Sequence, residues 1–414
     1  MKIILSHPTG NSNVRAVAEK LAEQNNLLRF HTSIAIFPDS YWTRLSHFSF
    51  LKELKRRTFK TGLKKYISTS PWNELSRMLF SKLGVKVFTA HETGLFSIDK
   101  VYHKLDSKVA NTLKNAKKNG VTAVYAYEDG ALETFIQAKQ LGLTCIYDLP
   151  IAYWETGRKL MQEEAARLPA WAKTLGGGIL DSEAKLERKR KELELADIVI
   201  GPGSFVLNSL PEWSLDKIKI VSPFGSPKNN ATTQLSVKST DKPLRVLFVG
   251  SMGQRKGLGD LFEAFNMLKD LPVELVVLGS LQAPMEFYTS QLATFTYEPG
   301  RSHDEVLKLM RTCDVFCLPS IVEGRALVMQ EAMSQGLPII ITPNTGGEDL
   351  VIEGETGFLV PIRSPKAIVE KIKWFVENRD RIPAMGEKAA EHAQNYTWDN
   401  YSETIIGQLK TILK

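Results

Sequence analysis

Strand-like apolar runs and amphipathic helical stretches alternate along nearly the whole chain, in two series separated by one polar tract. Alternation of this kind demands parallel strands joined by crossover helices, so each series reads as one doubly wound sheet covered on both faces. In the first series the strand patterns are KIIL, SIAIF, VTAVYAY, LTCIYDL, DIVIGP and KIVSPF, with helical patterns such as NVRAVAEKLAEQ and ETFIQAKQLG between them. A charged stretch, DSEAKLERKRKELELA, has Ser182 placed as an N-cap and its charges spaced as a solvated helix face. The tract Gly225 to Pro243 is polar, lacks periodicity and ends in proline, which is the composition of a linker. A fresh series follows: LRVLFVG, LGDLFEAFNMLKD, VELVVLG, SHDEVLKLMRTC, VFCLPS, ALVMQEAMSQG, PIIITP and GFLVP. The expected organisation is an α/β chain of two Rossmann-like domains, 1–224 and 244–394, around the linker 225–243. A last amphipathic helix within 395–414 has Trp398, Tyr401, Ile405, Ile406, Leu409 and Ile412 as its apolar set. Two such domains face each other across a central cleft, and ligands bind there at loops and helix N-termini.

Bulk properties agree with two soluble domains. The chain has 414 residues, more than one ordinary core accommodates, with 43% hydrophobic and 24% charged residues. Its net charge of +7 suits an anionic ligand or surface as well as it suits an ordinary basic protein. No His or further Cys lies near Cys145, Cys313 and Cys317 with zinc-ligand spacing, so reduced, packed thiols are expected, as in the cytoplasm. The opening MKIILSHPTG reads as a first strand, not a signal peptide, and no run approaches the ~20 apolar residues of a spanning helix.

Three stretches of the second series suggest chemistry. In VGSMGQRKGLGDLFEAF a strand ends at Gly250, and Arg255 and Lys256 precede Gly257 and a helix. Glycines admit close backbone approach, and two cations beside a helix N-terminus favour an anion. In EGRALVMQE, Glu323 follows a predicted strand and Glu331 lies in the helix expected from about Ala326. The amides of Ala326 and Leu327 are then unpaired first-turn donors, and a helix throughout would space the carboxylates ~12 Å apart along its axis. That layout matches ribose, pyrophosphate and hexose in one extended ligand. Taken alone, it equally describes a helix start with a surface glutamate. The third stretch, TPNTGGEDLVIEGETGFLVP, is strand and glycine-turn architecture near a cleft.

Together, the strand–RKG–helix unit, the two glutamates with seven residues between them, EAMSQGLPII and GGEDLVIEGETGFLVP resemble the donor-binding domain of retaining GT-B glycosyltransferases, glycosyltransferase family 4 ("group 1"). The resemblance covers about Leu244 to Pro361. It implies a retaining glycosyltransferase that moves a sugar from a nucleotide diphosphate sugar to a glycan, lipid or small-molecule hydroxyl. It implies Glu331 on the ribose hydroxyls, Glu323 on the transferred sugar, and Arg255, Lys256 and the Ala326 and Leu327 amides on the diphosphate. Gly279 and Ser280 would lie at the base, the helix after Asn395 would cross back to the first domain, and that domain would serve the acceptor. Family members often carry Phe-Gly where Arg325-Ala326 stand here, so Arg325 is either a third cation or solvent-facing. Many carry an arginine where Ser251 stands, a role open to Arg255. No Asp-x-Asp motif is present, so metal-independent activity is expected, with no cofactor and no metal ligand.

The first domain matches in architecture only. The family's glycine-rich loop corresponds to HPTGNSN, giving Gly10, Asn11 and Asn13, although Asn11 or Ser12 also suits a helix cap. Glu128, Asp129 and Asp148 end strand patterns and are cleft candidates by position on the acceptor side. Phe50 to Tyr66 holds seven Lys/Arg against one Glu, interleaved with apolar residues. Such a helix can lie on an anionic membrane, which would add a peripheral site on the inner membrane face, or it can pack on a core. The rival readings are a nucleotide-sugar epimerase of GT-B-like fold, which needs no acceptor, and a non-enzymatic basic membrane or nucleic-acid binder, which would not need Glu323 and Glu331. The resemblance favours a nucleotide sugar and an unidentified acceptor as partners, and no nucleic acid.

Overall fold

The computed structural model describes residues 1–38, 54, 56–226 and 242–413. The first sheet holds β1 (Ile3–Ser6), β2 (Leu27–Thr32), β3 (Ile67–Thr69), β4 (Ala123–Tyr127), β5 (Thr144–Asp148), β6 (Ile198–Gly201) and β7 (Ile218–Val221), in the order β3-β2-β1-β4-β5-β6-β7. The second holds β8 (Leu244–Val249), β9 (Val273–Leu278), β10 (Thr296–Glu298), β11 (Val315–Leu318), β12 (Ile339–Ile341) and β13 (Gly357–Leu359), in the order β10-β9-β8-β11-β12-β13. Every pairing in both sheets is parallel. Helices cover both faces, which is why strands such as β1, β6 and β11 are buried at every position. In each sheet the strand order reverses beside the first strand, between β1 and β4 and between β8 and β11. The loops leaving those strands are where such sheets place ligands.

Several sequence expectations change. SIAIF is not a strand; the strand is Leu27–Thr32 just before it, and Ile36 makes only an isolated bridge to Thr58. Ile34 and Ile36 are apolar because they pack in a small cluster with Leu54 and Met78. The three-residue strands β3 and β10 were too short to leave a pattern. Within Phe50 to Tyr66, residues 50–53 and 55 lie outside the described residues, and 56–66 form turns and a short 3-10 segment, Thr61–Leu63, instead of a helix. Phe59 and Leu63 are core residues, and Arg57 is buried in an ion pair with Glu74, so this part of the stretch faces inward.

The charged helix Glu183–Leu195 begins at Ser182, whose hydroxyl accepts from the Lys185 amide. Its charges form a solvated face only in part, with Glu183, Lys191 and Glu194 exposed. Lys189 and Glu192 are buried; Lys189 pairs with Glu128, and Glu192 accepts from the amides of Asp129, Ala131 and Leu132. Burial beside Asp129 pushes the Glu192 carboxyl up to about 8.

Most of the linker lies outside the described residues, but its first end is visible. Ser226 bridges Thr397, so the two crossings between domains run side by side. Beyond them the helix Trp398–Ile412 packs on the helix Ser12–Glu23. Tyr401, Ile405, Ile406 and Leu409 share one core with Val14, Val17 and Leu21, and Lys20 meets Glu403 at 2.6 Å. In the other direction, residues 154–174 precede the linker yet pack on the second domain. Trp171 is buried there with edge-on contacts to Phe262, Phe287 and Tyr288, pairs worth about 0.5–1.5 kcal/mol each beyond burial. Arg167 holds both Asp260 oxygens at 2.9 and 2.7 Å, and Gln254 Nε2 donates to Glu164 at 2.7 Å. No helix among the described residues is long and apolar enough to cross a membrane.

The domains also meet closely at Gly324, where a Cβ would stand 1.7 Å from the Pro150 carbonyl oxygen. Gly324→Ala is therefore expected to wedge the domains apart. Small-angle scattering should show a larger radius of gyration than the parent chain, and an unchanged radius would contradict this contact.

Candidate active site

The loop after β8 turns through Gly250 to Met252, whose amide donates to Ser280 O at 2.9 Å, bringing the β8 and β9 exits together at Ser251 and Ser280. A short 3-10 turn, Gln254–Lys256, ends at Gly257 with φ 72°, where a Cβ would stand 1.9 Å from the Pro319 carbonyl. That approach presses the RKG loop onto the exit of β11, and the Ile321 amide donates to Arg255 O at 2.9 Å. The result is an ion triad. Glu323 Oε1 lies 2.8 Å from Arg255 Nη1 and 2.5 Å from Lys256 Nζ, with the carboxylate mostly buried. Both pairs fall on Oε1, and Oε2 has no partner among the described residues. Burial is the main cause that lowers the Lys256 ammonium, helped by Arg255 and opposed by Glu323.

The helix that follows begins at Leu327, not Ala326. Ala326 is its N-cap residue, with extended backbone, and the Ala326 amide already donates to Thr345 O at 3.3 Å. The unpaired first-turn donors among the described residues are thus the amides of Leu327 and Val328, one position later than expected. Because 323–326 is not helical, the axial spacing expected for Glu323 and Glu331 does not apply. Glu331 is half-buried, its carboxyl raised by burial, and His303 Nδ1 lies 3.7 Å from Oε1. His303 lies within SHDEVLKLMRTC, where nothing in the sequence marks it as a partner of Glu331. Gly279 donates to Glu298 O and accepts from Tyr297 on the neighbouring β10.

Arg325 is neither a free third cation nor solvent-facing. Its side chain is fully buried and turned away from the triad, bidentate on Asp349 at 2.6 and 3.1 Å, with Nη1 also donating to Gly346 O at 2.8 Å. Its Nε donates to Gln330, its guanidinium lies over the Tyr396 ring, and Gln330 donates to Phe224 O beside the interdomain crossing.

In the first domain, Gly10 has φ 62° and a Cβ there would strike the Phe59 ring, so the loop after β1 is fixed by backbone geometry. Asn11 precedes the helix Ser12–Glu23 as its N-cap residue but does not cap it; its Oδ1 accepts from Thr9 instead. His7, which the sequence reading passed over, organises this loop. Its Nδ1 accepts from the amides of Thr9 and Gly10, and burial, then Arg57 and Arg15, push the ring down to about 3, so it is neutral. Asn13 Nδ2 reaches Asp148 Oδ2 at 3.4 Å, and burial pushes that carboxyl up to about 7. Asp148 is almost fully buried, and Glu128 and Asp129 are held by Lys189, so none of the three presents a free carboxylate to the cleft. His91, Glu92 and Asp181 form the one metal-like grouping among the described residues, with Lys185 Nζ 3.3 Å from Asp181.

Residues 232–392 match the family described as glycosyl transferases group 1. The matched stretch falls on the second domain. Within it lie the RKG loop, Glu323 and Glu331. Similar proteins include a D-inositol 3-phosphate glycosyltransferase of Corynebacterium glutamicum, 29% identical over 44% of this chain and 49% of that protein. Another is a sulfoquinovosyl transferase of Arabidopsis thaliana, 29% identical over 48% of this chain and 39% of that protein. The chain thus spans about half the length, or less, of these curated relatives. Over the whole chain the architecture is that of sucrose-phosphate synthase from Thermosynechococcus elongatus, with TM-score 0.61 at 20% identity, covering 100% and 99% of the two chains. Anabaena HepE, solved with UDP-glucose, aligns over 99% and 100% of the two chains with TM-score 0.58 at 15% identity. The two domains together have the GT-B fold.

Proposed function

We propose that this chain is a retaining glycosyltransferase that moves a sugar from a nucleoside diphosphate sugar to a hydroxyl acceptor. The observation that supports it most is the triad of Arg255, Lys256 and Glu323 at the switch point between β8 and β11, beside the free amides of Leu327 and Val328. The two cations and the helix start with its two amide donors lie on the loops leaving β8 and β11, where the departing diphosphate would gain charge as the glycosidic bond breaks. Glu323 Oε1 neutralises the cations while the site is empty, and its second oxygen remains to accept from a sugar hydroxyl. Glu331 takes the ribose hydroxyls, with His303 beside it and Ser251, Gly279 and Ser280 lining the base. UDP and UDP-glucose, present in the complexes of Anabaena HepE, are the first donors to test. The chemistry described uses only side chains and amides of this chain, so we propose that turnover is independent of metal ions.

The test is a thermal-shift series with nucleoside diphosphates and their sugars, followed by turnover assays with and without excess chelator. Ligand-dependent stabilisation and chelator-resistant transfer are expected. Complete loss of turnover in chelator would refute metal independence, and donor conversion without acceptor would point to the epimerase instead.

A further inference from the structure

Between β3 and β4 the chain builds a lobe that buries little of itself. The helix Pro71–Lys82 has 12 residues, of which only Glu74 and Met78 are buried, and the short helix Lys86–Thr89 buries none. Phe80, Phe88 and Phe96 hold the lobe together through mutual ring contacts, with Phe80 and Phe96 stacked 5.3 Å apart. Outside this aromatic base the apolar side chains face outward. Trp72 is 80% exposed and Val87 78%, and Leu79, Leu83, Leu95 and Ile98 are exposed with them. Trp72, Leu79 and Leu83 recur at helical spacing and so share one face. Isolated exposed apolar residues are ordinary, but this many within one short segment point to an interaction surface.

Charge decides what it fits. Over residues 71–118 every carboxylate is withdrawn from the surface: Glu74 is buried on Arg57 and Arg77, Asp99 on Lys185, Asp106 on Arg188, and Glu92 is half-buried on Ser182. Lys82, Lys86, Lys100, Lys104 and Lys108 are all exposed. Lys104 Nζ donates to Asn73, next to Trp72, and Trp72, Lys104 and Lys108 line one shallow pocket. Residues 71–118 therefore expose apolar side chains and lysines but no fully exposed carboxylate of their own. A second copy of this face would set lysines against lysines, whereas an anionic bilayer supplies both an apolar layer and negative headgroups.

We propose that the face formed by Trp72, Leu79, Leu83, Val87, Leu95 and Ile98 docks on an anionic lipid surface. Trp72 sits at the headgroup level, where indole rings favour the membrane interface, and the lysines engage the headgroups. The helix leaves the carboxyl end of β3, so the docked face lies on the same end of the sheet as the cleft loops at Gly10 and Asp129. An acceptor held in the membrane would then meet the site from its rim. This contact replaces the one expected for Phe50 to Tyr66, whose described apolar residues are inside.

The test is co-sedimentation of the full chain with phosphatidylglycerol–phosphatidylcholine vesicles and with phosphatidylcholine alone. Binding is expected only with the anionic vesicles, weakening as salt rises. Lys86→Ala should weaken it about fivefold, the usual contribution of one lysine near an anionic surface. Leu83→Glu with Val87→Glu should abolish it while leaving thermal unfolding unchanged, since both side chains are exposed. Absence of wild-type binding at low salt, or equal binding by the double variant, would overturn the proposal. So would a lipid-free dimer that the double variant dissociates without any vesicle binding by the parent.

Discussion

Lys256→Ala is expected to lower kcat/KM for sugar transfer by about a hundredfold to a thousandfold, the usual cost of removing one fixed group that meets developing charge. Lys256 is held against Glu323 in a mostly buried site, so it is positioned before any ligand arrives and needs no reorganisation during the reaction. The fold should tolerate the change, because Arg255 still neutralises Glu323 Oε1 at 2.8 Å. Initial rates across donor concentrations, with thermal unfolding measured in parallel, separate the two effects. An unchanged kcat/KM in a normally folded variant would remove Lys256 from the site.

The second large effect concerns stability, and its sign depends on which partner of an ion pair is buried. Arg325 is fully buried, whereas Asp349 is 42% exposed. Asp349→Ala leaves a guanidinium in the interior with only the Gly346 carbonyl, Gln330 and the Tyr396 ring for company, and is expected to cost about 3–5 kcal/mol. Arg325→Met removes the charge together with its need for a partner and fills similar space, so it should cost less. Chemical unfolding of both variants checks the order. If Arg325→Met proved the more damaging, the pair would be stabilising in its own right rather than a charge requiring compensation.

The second domain was the more legible half because its site is local. Gly250, the RKG turn, Glu323 and Glu331 lie near strand ends within short spans, and continuous apolar runs announced β8, β9 and β11. Side-chain direction was not legible. Nothing in EGRALVMQE indicates that Arg325 turns toward Asp349, because that pairing depends on the later GGEDL turn and on Tyr396. The first domain misled for a related reason. Lys189 and Glu192 look like surface charges on a solvated helix, and their partners Glu128 and Ala131 are some sixty residues away in sequence. Apolar periodicity reports burial without naming the partner, so SIAIF read as a strand although its isoleucines fill a side cluster. The contact of Trp171 with the second domain left no local signal at all.

The side-by-side crossings at Ser226 and Thr397 have a consequence for synthesis. The core of the first domain is completed by Tyr401, Ile405, Ile406 and Leu409, which follow the whole second domain in the chain. Domains of nascent chains usually mature in the order in which they emerge. Here the second domain has all its strands before the first domain has its full core, so the earlier half is expected to stay incompletely covered until the later half is made. Completion of the first domain's core is thereby tied to synthesis of the second.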